Sequence, residues 1–196
     1  MLSLAINALH YLRYRVGLEE AKTQTTELER QLFRQLAPGR KVIVELGVFE
    51  GASSRLFRAA MDSDAELYGV DPFPVGRLLF SPQRAISVRE ISKSPNGSAH
   101  LLRCLSYEAV KGWNKTIDLL YMDGDHSFEG VTRDFRDWTP FVIRGGLVLI
   151  HTSRSSPNKS VPESCGPLRL VKEVVASDAA FKIREYVDST TVIEKL

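Results

Sequence analysis

Val42-Ile43-Val44-Glu45-Leu46-Gly47-Val48-Phe49-Glu50-Gly51 is the stretch that decides the fold. Its first half is a short run rich in β-branched residues that ends at a glycine, the mark of a buried strand. Its second half is a turn bracketed by Gly47 and Gly51, where the backbone must approach a ligand closely or adopt positive φ. Ala52-Ser53-Ser54 then opens a helix, placed at Ser53–Met61, whose free amides point into the same space. The spacing of the turn is Gly-x-x-x-Gly. A dinucleotide fingerprint is Gly-x-Gly-x-x-Gly, with its middle glycine against a pyrophosphate. Here Phe49 stands where that approach would be needed, so the turn suits a ligand without a pyrophosphate.

Working outward, strands and helices alternate. Leu67–Val70 reads as a second strand ending at Asp71-Pro72, His100–Cys104 as a third, Ile117–Met122 as a fourth and Gly146–Ile150 as a fifth. Between them, Tyr107–Trp113 reads as a short helix and Phe128–Val142 as a longer one. Phe73–Pro95 reads as a long surface excursion with some helical character over Arg84–Ile91. Thr152–Gly166 is a loop, Leu168–Ala176 a helix, and Phe181–Tyr186 with Thr190–Glu194 a closing hairpin about Asp188-Ser189. Upstream, Leu18–Leu36 has helical composition, with Leu28, Leu32 and Leu36 at steps of four and Pro38-Gly39 as the stop.

The alternation predicts an α/β fold. The expected form is a Rossmann-like three-layer sandwich with a mostly parallel seven-stranded sheet and a C-terminal antiparallel hairpin. Residues 1–36 form an N-terminal helical segment and residues 37–196 the α/β domain, one domain overall. Sheets of this kind bind ligands beyond the carboxyl ends of their strands. Glu45-Leu46-Gly47, Asp71, Ser106, Asp123–His126 and His151 all fall at or just after strand ends, so a site is expected on one rim. Asp71 follows Gly47 by 24 residues, where a carboxylate can accept both hydroxyls of a ribose.

Composition sets bounds on function. The 196 residues are 43% hydrophobic and 26% charged, which suits a single globular core. With 26 basic and 24 acidic residues the net charge is +2, and no basic stripe points to nucleic acid. Cys104 and Cys165 lack the spacing of a zinc site or disulfide framework and read as reduced thiols of a cytoplasmic protein. The triplets at Asn96, Asn114 and Asn158 are then chance glycosylation matches. The apolar Met1–Leu12 is followed, not preceded, by Arg13 and Arg15, so it reads as a docking helix rather than a signal peptide. No run approaches a membrane span. Docking across a homodimer is one use for that helix.

The residues resemble a known family. Glu45-x-Gly47-x-x-x-Gly51, Asp71 closing the second strand, and Ile117-Asp118-Leu119-Leu120-Tyr121-Met122-Asp123-Gly124-Asp125-His126-Ser127-Phe128-Glu129-Gly130 are similar to class I S-adenosylmethionine-dependent methyltransferases. The subgroup resembled is the small-molecule O-methyltransferases that carry an Asp-Gly-Asp-His segment. Trp138, Pro140 and the run Gly145-Gly146-Leu147-Val148-Leu149-Ile150 match the same group. The resemblance covers about residues 40–152.

The resemblance implies roles. Glu45, Gly47 and Gly51 would surround the methionine part of S-adenosylmethionine, lined by Phe49 and Ser53. Asp71 would hold the ribose, with Pro72 and Phe73 beside the adenine. Leu105-Ser106 would meet the adenine edge, although many relatives carry an acid where Leu105 stands. Asp123 would lie at the reacting end, and His126 is the preferred general base, because imidazole accepts a proton near neutral pH. The competing reading of His126 is a cap for the helix that follows. Some relatives bind a divalent cation here, and Asp123, Asp125, His126 and His151 are the candidate ligands. A cation is not favoured, since His151-Thr152-Ser153 offers no carboxylate after the fifth strand. His151 faces the substrate in the alternative, and Arg154 and Lys159 lie in a mobile loop over the site. The expected activity is O-methylation of a small-molecule hydroxyl, on a secondary metabolite or a sugar. A non-catalytic module of the same fold and a nicotinamide-dependent oxidoreductase are the alternatives.

Overall fold

The computed structural model describes residues 2–75 and 80–196. Four residues of the expected Phe73–Pro95 excursion, and Met1, lie outside them. The helices are α1 (Leu2–Arg15), α2 (Glu27–Leu36), α3 (Ala52–Ala60), α4 (Pro82–Ser92), α5 (Ser106–Ala109), α6 (Phe128–Trp138) and α7 (Gly166–Glu173). The strands are β1 (Val42–Leu46), β2 (Glu66–Val70), β3 (Ser98–Leu102), β4 (Ile117–Met122), β5 (Val142–Ile150), β6 (Phe181–Val187) and β7 (Thr190–Lys195). They form one sheet in the order β3-β2-β1-β4-β5-β7-β6. The first five strands are parallel, and β7 runs antiparallel to both β5 and β6. This is the three-layer α/β sandwich with the antiparallel closing pair.

The side-chain period of two divides each central strand between two cores. Val44, Leu46, Leu120, Met122, Val148 and Ile150 pack under α6 and α7, where Val131, Phe135 and Trp138 supply a helical stripe. Ile43, Leu119, Tyr121, Leu147 and Leu149 point the other way, against Phe33 of α2 and Leu56 and Phe57 of α3. Phe33, Phe57 and Tyr121 cluster with ring centroids 4.8–5.7 Å apart. Burying each such ring stabilises the fold by roughly 1.5–3 kcal/mol. Parity also sends Glu45 toward α3 and leaves Asp123, two residues past Tyr121, on the same side of the rim.

Three expectations are corrected. Leu18–Leu36 is not one helix: residues 18–26 have no regular secondary structure, and α2 begins only after Thr26. The Thr23 and Thr25 hydroxyls bond to each other at 2.7 Å, and Thr26 closes a capping box with Glu29. Hydroxyl side chains that engage nearby groups in this way compete with helix and favour its start. The Phe128–Val142 helix stops at Trp138, because Pro140 has no N–H to continue it. Strand β5 therefore starts at Val142, four residues earlier than expected. Finally, Pro82–Ser92 is a full helix, capped by Ser81, whose Oγ accepts from Arg84 N at 3.3 Å, with Pro82 at its first position.

Helix α1 docks on α4 through Tyr14, whose hydroxyl donates to the buried Glu90 at 2.6 Å. Leu9 and Leu12 of α1, and Val16 in the turn after it, stay exposed. No described helix is long and apolar enough to cross a membrane. Both cysteines are free thiols.

Candidate active site

The chain reverses direction across the sheet between β1 and β4, so the cleft beyond their carboxyl ends is the natural binding site. A cavity of about 620 Å³ lies there, within the range of small-molecule sites. Its wall includes Gly47, Val48, Phe49, Ser53, Asp71 and Pro72 from the first two strand ends. Leu105, Ser106 and Tyr107 close one side, and Asp123, Asp125, His126 and Asp134 another. Lys22–Thr25, in the irregular segment before α2, line the cavity as a strap.

The glycine turn is fixed by sterics. Gly47 has φ +88°, and a Cβ there would sit 2.2 Å from the carbonyl oxygen of Asp123. Only glycine lets the β1 turn and the β4 end lie side by side. Gly51, at φ +78°, backs instead onto Ser87 of α4, with a would-be Cβ 2.8 Å from its Cα. Gly51 therefore packs the turn and does not line the cavity. Phe49 has positive φ as well, and its ring is partly exposed at the wall.

Asp71 acts first on its own loop. Its Oδ2 accepts from Val48 N and Phe49 N, both at 3.0 Å, and its Oδ1 accepts from Phe73 N at 2.7 Å. The carboxylate ties the β1 turn to the β2 end, and these three backbone bonds leave acceptor capacity on Oδ1 at the cavity wall. Phe73, expected beside the ligand, is fully buried and does not line the cavity, whereas Pro72 and Pro74 do.

Glu45 is also behind the wall. It is fully buried and accepts hydrogen bonds from the hydroxyls of Ser53 and Ser54. Burial pushes its pKa up to about 8 against those two hydrogen bonds, with Asp123 and Asp71 adding repulsion. It is neutral at pH 7 and acts as a peg that seats the start of α3.

The rim beyond β4 carries the titratable cluster. Asp123 Oδ1 lies 3.2 Å from His126 Nε2 and 2.6 Å from His151 Nδ1, and Tyr121 Oη donates to its Oδ2 at 3.2 Å. Burial would raise the Asp123 pKa, but the two imidazoles outweigh it and hold it at about 2. His126 is 38% exposed and lines the cavity. It does not cap α6: Ser127 does, its Oγ accepting from Gly130 N at 3.0 Å. Asp125 accepts from Ser127 N at 2.8 Å and lies over Gly130, where any Cβ would collide with it.

His151 does not face the cavity. It is fully buried between Asp123 and Glu29, with Glu29 Oε2 3.4 Å and Lys159 Nζ 3.0 Å from its Nε2. Burial would lower the His151 pKa, but the flanking carboxylates raise it to about 9. With two carboxylates against one ammonium, the protonated ring is favoured. Lys159, expected in a mobile loop, donates to Thr152 Oγ1 at 3.0 Å. Arg154 lies over the Tyr186 ring instead, 4.6 Å from its centroid.

These partners decide the fit to a metal. Asp123 is engaged by two imidazoles and a phenol, Asp125 by backbone, and His151 by carboxylates and an ammonium. Among the described residues no group of three or more His, Cys, Asp or Glu side chains is arranged to hold a cation. The donor set does not fit one.

Several residues at the site escaped the sequence reading. Glu29 accepts from Ser189 N and Oγ and from Thr190 Oγ1, pinning α2 to the closing hairpin beneath His151. Glu50 takes Lys22 N at 2.6 Å and lies 3.0 Å from His10 Nε2, fastening the strap. Asp134 of α6 reaches the cavity wall and accepts from Ser106 Oγ at 2.5 Å. All three partners are far away in sequence, and only the amphipathic spacing of α6 hinted that Asp134 would be turned inward.

Comparison with known proteins places this arrangement. The chain is 29% identical over 112 residues to uncharacterized protein R132 of Acanthamoeba polyphaga mimivirus, covering 54% of this chain and 48% of that protein. The matched part thus spans about half the length of that curated relative. Among solved structures, the O-methyltransferase TomG from Streptomyces achromogenes, in complex with SAM, superposes with a TM-score of 0.66 at 14% identity. The overlap covers 96% of this chain and 88% of TomG. The O-methyltransferase from Bacillus cereus in complex with SAH gives 0.62 at 13% identity, over 98% and 88% of the two chains. Those likenesses show a shared fold. A family model for a methyltransferase domain matches residues 44–153, more than half of the chain, from within β1 to just past the end of β5. The chain belongs to that methyltransferase-domain family.

Proposed function

We propose that this protein is an S-adenosylmethionine-dependent O-methyltransferase acting on a hydroxyl of a small molecule. The observation that carries the reading is the joining, in one cavity, of the Gly47–Ser53 turn, the Asp71 carboxylate and the Asp123–His126 pair. The bound cofactor supplies an electrophilic methyl group on a sulfonium. The chain's own groups do the rest.

The turn at Gly47 and the amides at the start of α3 receive the amino-acid end. The acceptor capacity left on the Asp71 carboxylate takes a ribose hydroxyl. His126, at the mouth, takes the proton of the acceptor hydroxyl, and Asp123 orients its ring and stabilises the imidazolium that forms. Such proton transfer contributes roughly 10²–10⁴ to rate. The strap Lys22–Thr25 limits the space left for the acceptor and helps keep water out. Methyl transfer is an in-line displacement, so holding both reactants in place is itself a large part of the catalysis.

Titration calorimetry with S-adenosylmethionine and S-adenosylhomocysteine tests the cofactor half. Micromolar binding to the wild type, weakened by both Asp71→Asn and Asp71→Ala, is expected. Absence of binding by the wild type overturns the reading. For the acceptor half, radiolabelled methyl transfer to a panel of catechols and hydroxylated sugars is measured. His126→Ala should keep cofactor affinity and lower turnover roughly 10²–10⁴-fold. Equal loss of both would make His126 structural. A second reading, a non-catalytic binding module, is favoured by His151-Thr152-Ser153, which puts no carboxylate after β5. Tight binding with no transfer to any acceptor would support it.

A further inference from the structure

We infer that Asp134, held by Ser106, reads the exocyclic amine of the cofactor's adenine and so sets base specificity. The inference rests on the cofactor reading above.

The strand order places the ligand along the rim. Asp123 stands at the end of β4, the Gly47 turn at β1, Asp71 at β2 and Ser106 after β3. From β4 to β3 is three strand spacings, roughly 14 Å. A ligand with its methyl-bearing end at Asp123 and its ribose at Asp71 must put its base beside Ser106. Leu105, 39% exposed, offers that base an apolar surface and no hydrogen bond from its side chain.

The polar group at this corner comes from another element. Asp134 projects from the second turn of α6, is 3% exposed, and lines the cavity with Leu105, Ser106 and Tyr107. Its Oδ1 accepts from Ser106 Oγ at 2.5 Å, and its Oδ2 accepts no hydrogen bond among the described residues. The buried side-chain polar atoms without a partner there are Thr132 Oγ1 and Trp138 Nε1. Asp134 Oδ2 is not one of them, so it keeps surface on the cavity it lines. An acceptor oxygen fixed in orientation by a serine and open on one side is complementary to an amine N–H. The neighbouring Arg133 does not neutralise it by contact, because its guanidinium lies over the Tyr107 ring, 4.4 Å from the centroid. Burying an acceptor that only an amine satisfies penalises a base carrying oxygen at that position.

The test compares S-adenosylhomocysteine with S-inosylhomocysteine, which has a carbonyl in place of the amine, by calorimetry. The wild type should prefer the adenine ligand by roughly tenfold to a hundredfold. Asp134→Asn keeps the bond from Ser106 on its carbonyl oxygen and turns an NH₂ toward the cavity, so the preference should reverse. Asp134→Ala should bring the ratio close to one, and Ser106→Ala should shrink it. Thermal melts check that each variant is folded. A wild-type ratio near one overturns the inference, whether or not the variants fold. So does an unchanged ratio in folded Asp134→Asn. Failure of the wild type to bind either ligand instead overturns the cofactor reading beneath it.

Discussion

Gly47→Ala tests the close approach on which the whole cavity depends. The substitution carries two separate penalties. The first is conformational: an L-residue at φ +88° is strained, by about 1–2 kcal/mol for a left-handed position. The second is steric. The new Cβ would lie 2.2 Å from Asp123 O, 2.6 Å from its carbonyl carbon and 2.8 Å from Gly124 Cα. All three are backbone atoms, so no rotamer change relieves the clash, and forced overpacking adds about 1–3 kcal/mol. The sum is about 2–5 kcal/mol. Gly145→Ala is the control, since Gly145 has φ +75° and nothing within 4 Å of its would-be Cβ. It should carry the conformational penalty alone, about 1–2 kcal/mol. For a chain of this size, thermal midpoints should fall by roughly 4–20 °C for Gly47→Ala and roughly 2–8 °C for Gly145→Ala. Urea midpoints should rank the same way. Equal losses in the two variants would refute the claim that the β1 turn lies against the end of β4.

Three further outcomes follow from the buried charges and the site. Glu45, with its pKa raised from 4.5 to about 8, holds its proton in the native state after the unfolded chain has lost it. Its contribution is complete below pH 4.5 and is lost as pH rises to about 8, so stability should fall over that window by several kcal/mol at most. Glu45→Gln should flatten that part of a urea-unfolding pH series; a slope unchanged by the substitution would place the titration elsewhere. Glu29→Ala should lower stability by about 3–5 kcal/mol, since it strips Ser189, Thr190 and His151 of a shared buried partner. A loss under 1 kcal/mol in equilibrium unfolding would show that this network contributes little. For the site, Asp71→Asn and His126→Ala should separate, the first acting on cofactor binding and the second on turnover, as isothermal titration and methyl-transfer rates will report.

Much of the fold was legible because its signals are local. Val42–Leu46 and Ile117–Met122 announce themselves as buried strands by a run of branched and apolar residues, and their bounds are those of β1 and β4. The edges were less clear wherever a side chain chose its partner in space. Residues 18–26 have helical composition, yet Lys22 N goes to Glu50 and Thr26 becomes a cap. Pro140 was visible within the expected sixth helix, but only the early start of β5 shows that it ends it.

Residue order alone specifies the strand–turn–helix at Gly47 and the placing of Asp71, Ser106, Asp123 and His126 at strand ends. The reason is that parallel α/β sheets put every strand's carboxyl end on one rim. What those residues touch depends on the packed fold. It turned Glu45 and His151 away from the cavity and brought Lys159 to His151. It also joined Glu29 to Ser189 across 160 residues and seated Asp134 on Ser106. Those contacts depend on how α2, α6 and the loop after β5 pack on the sheet, and packing distances are not written in the spacing of any one segment.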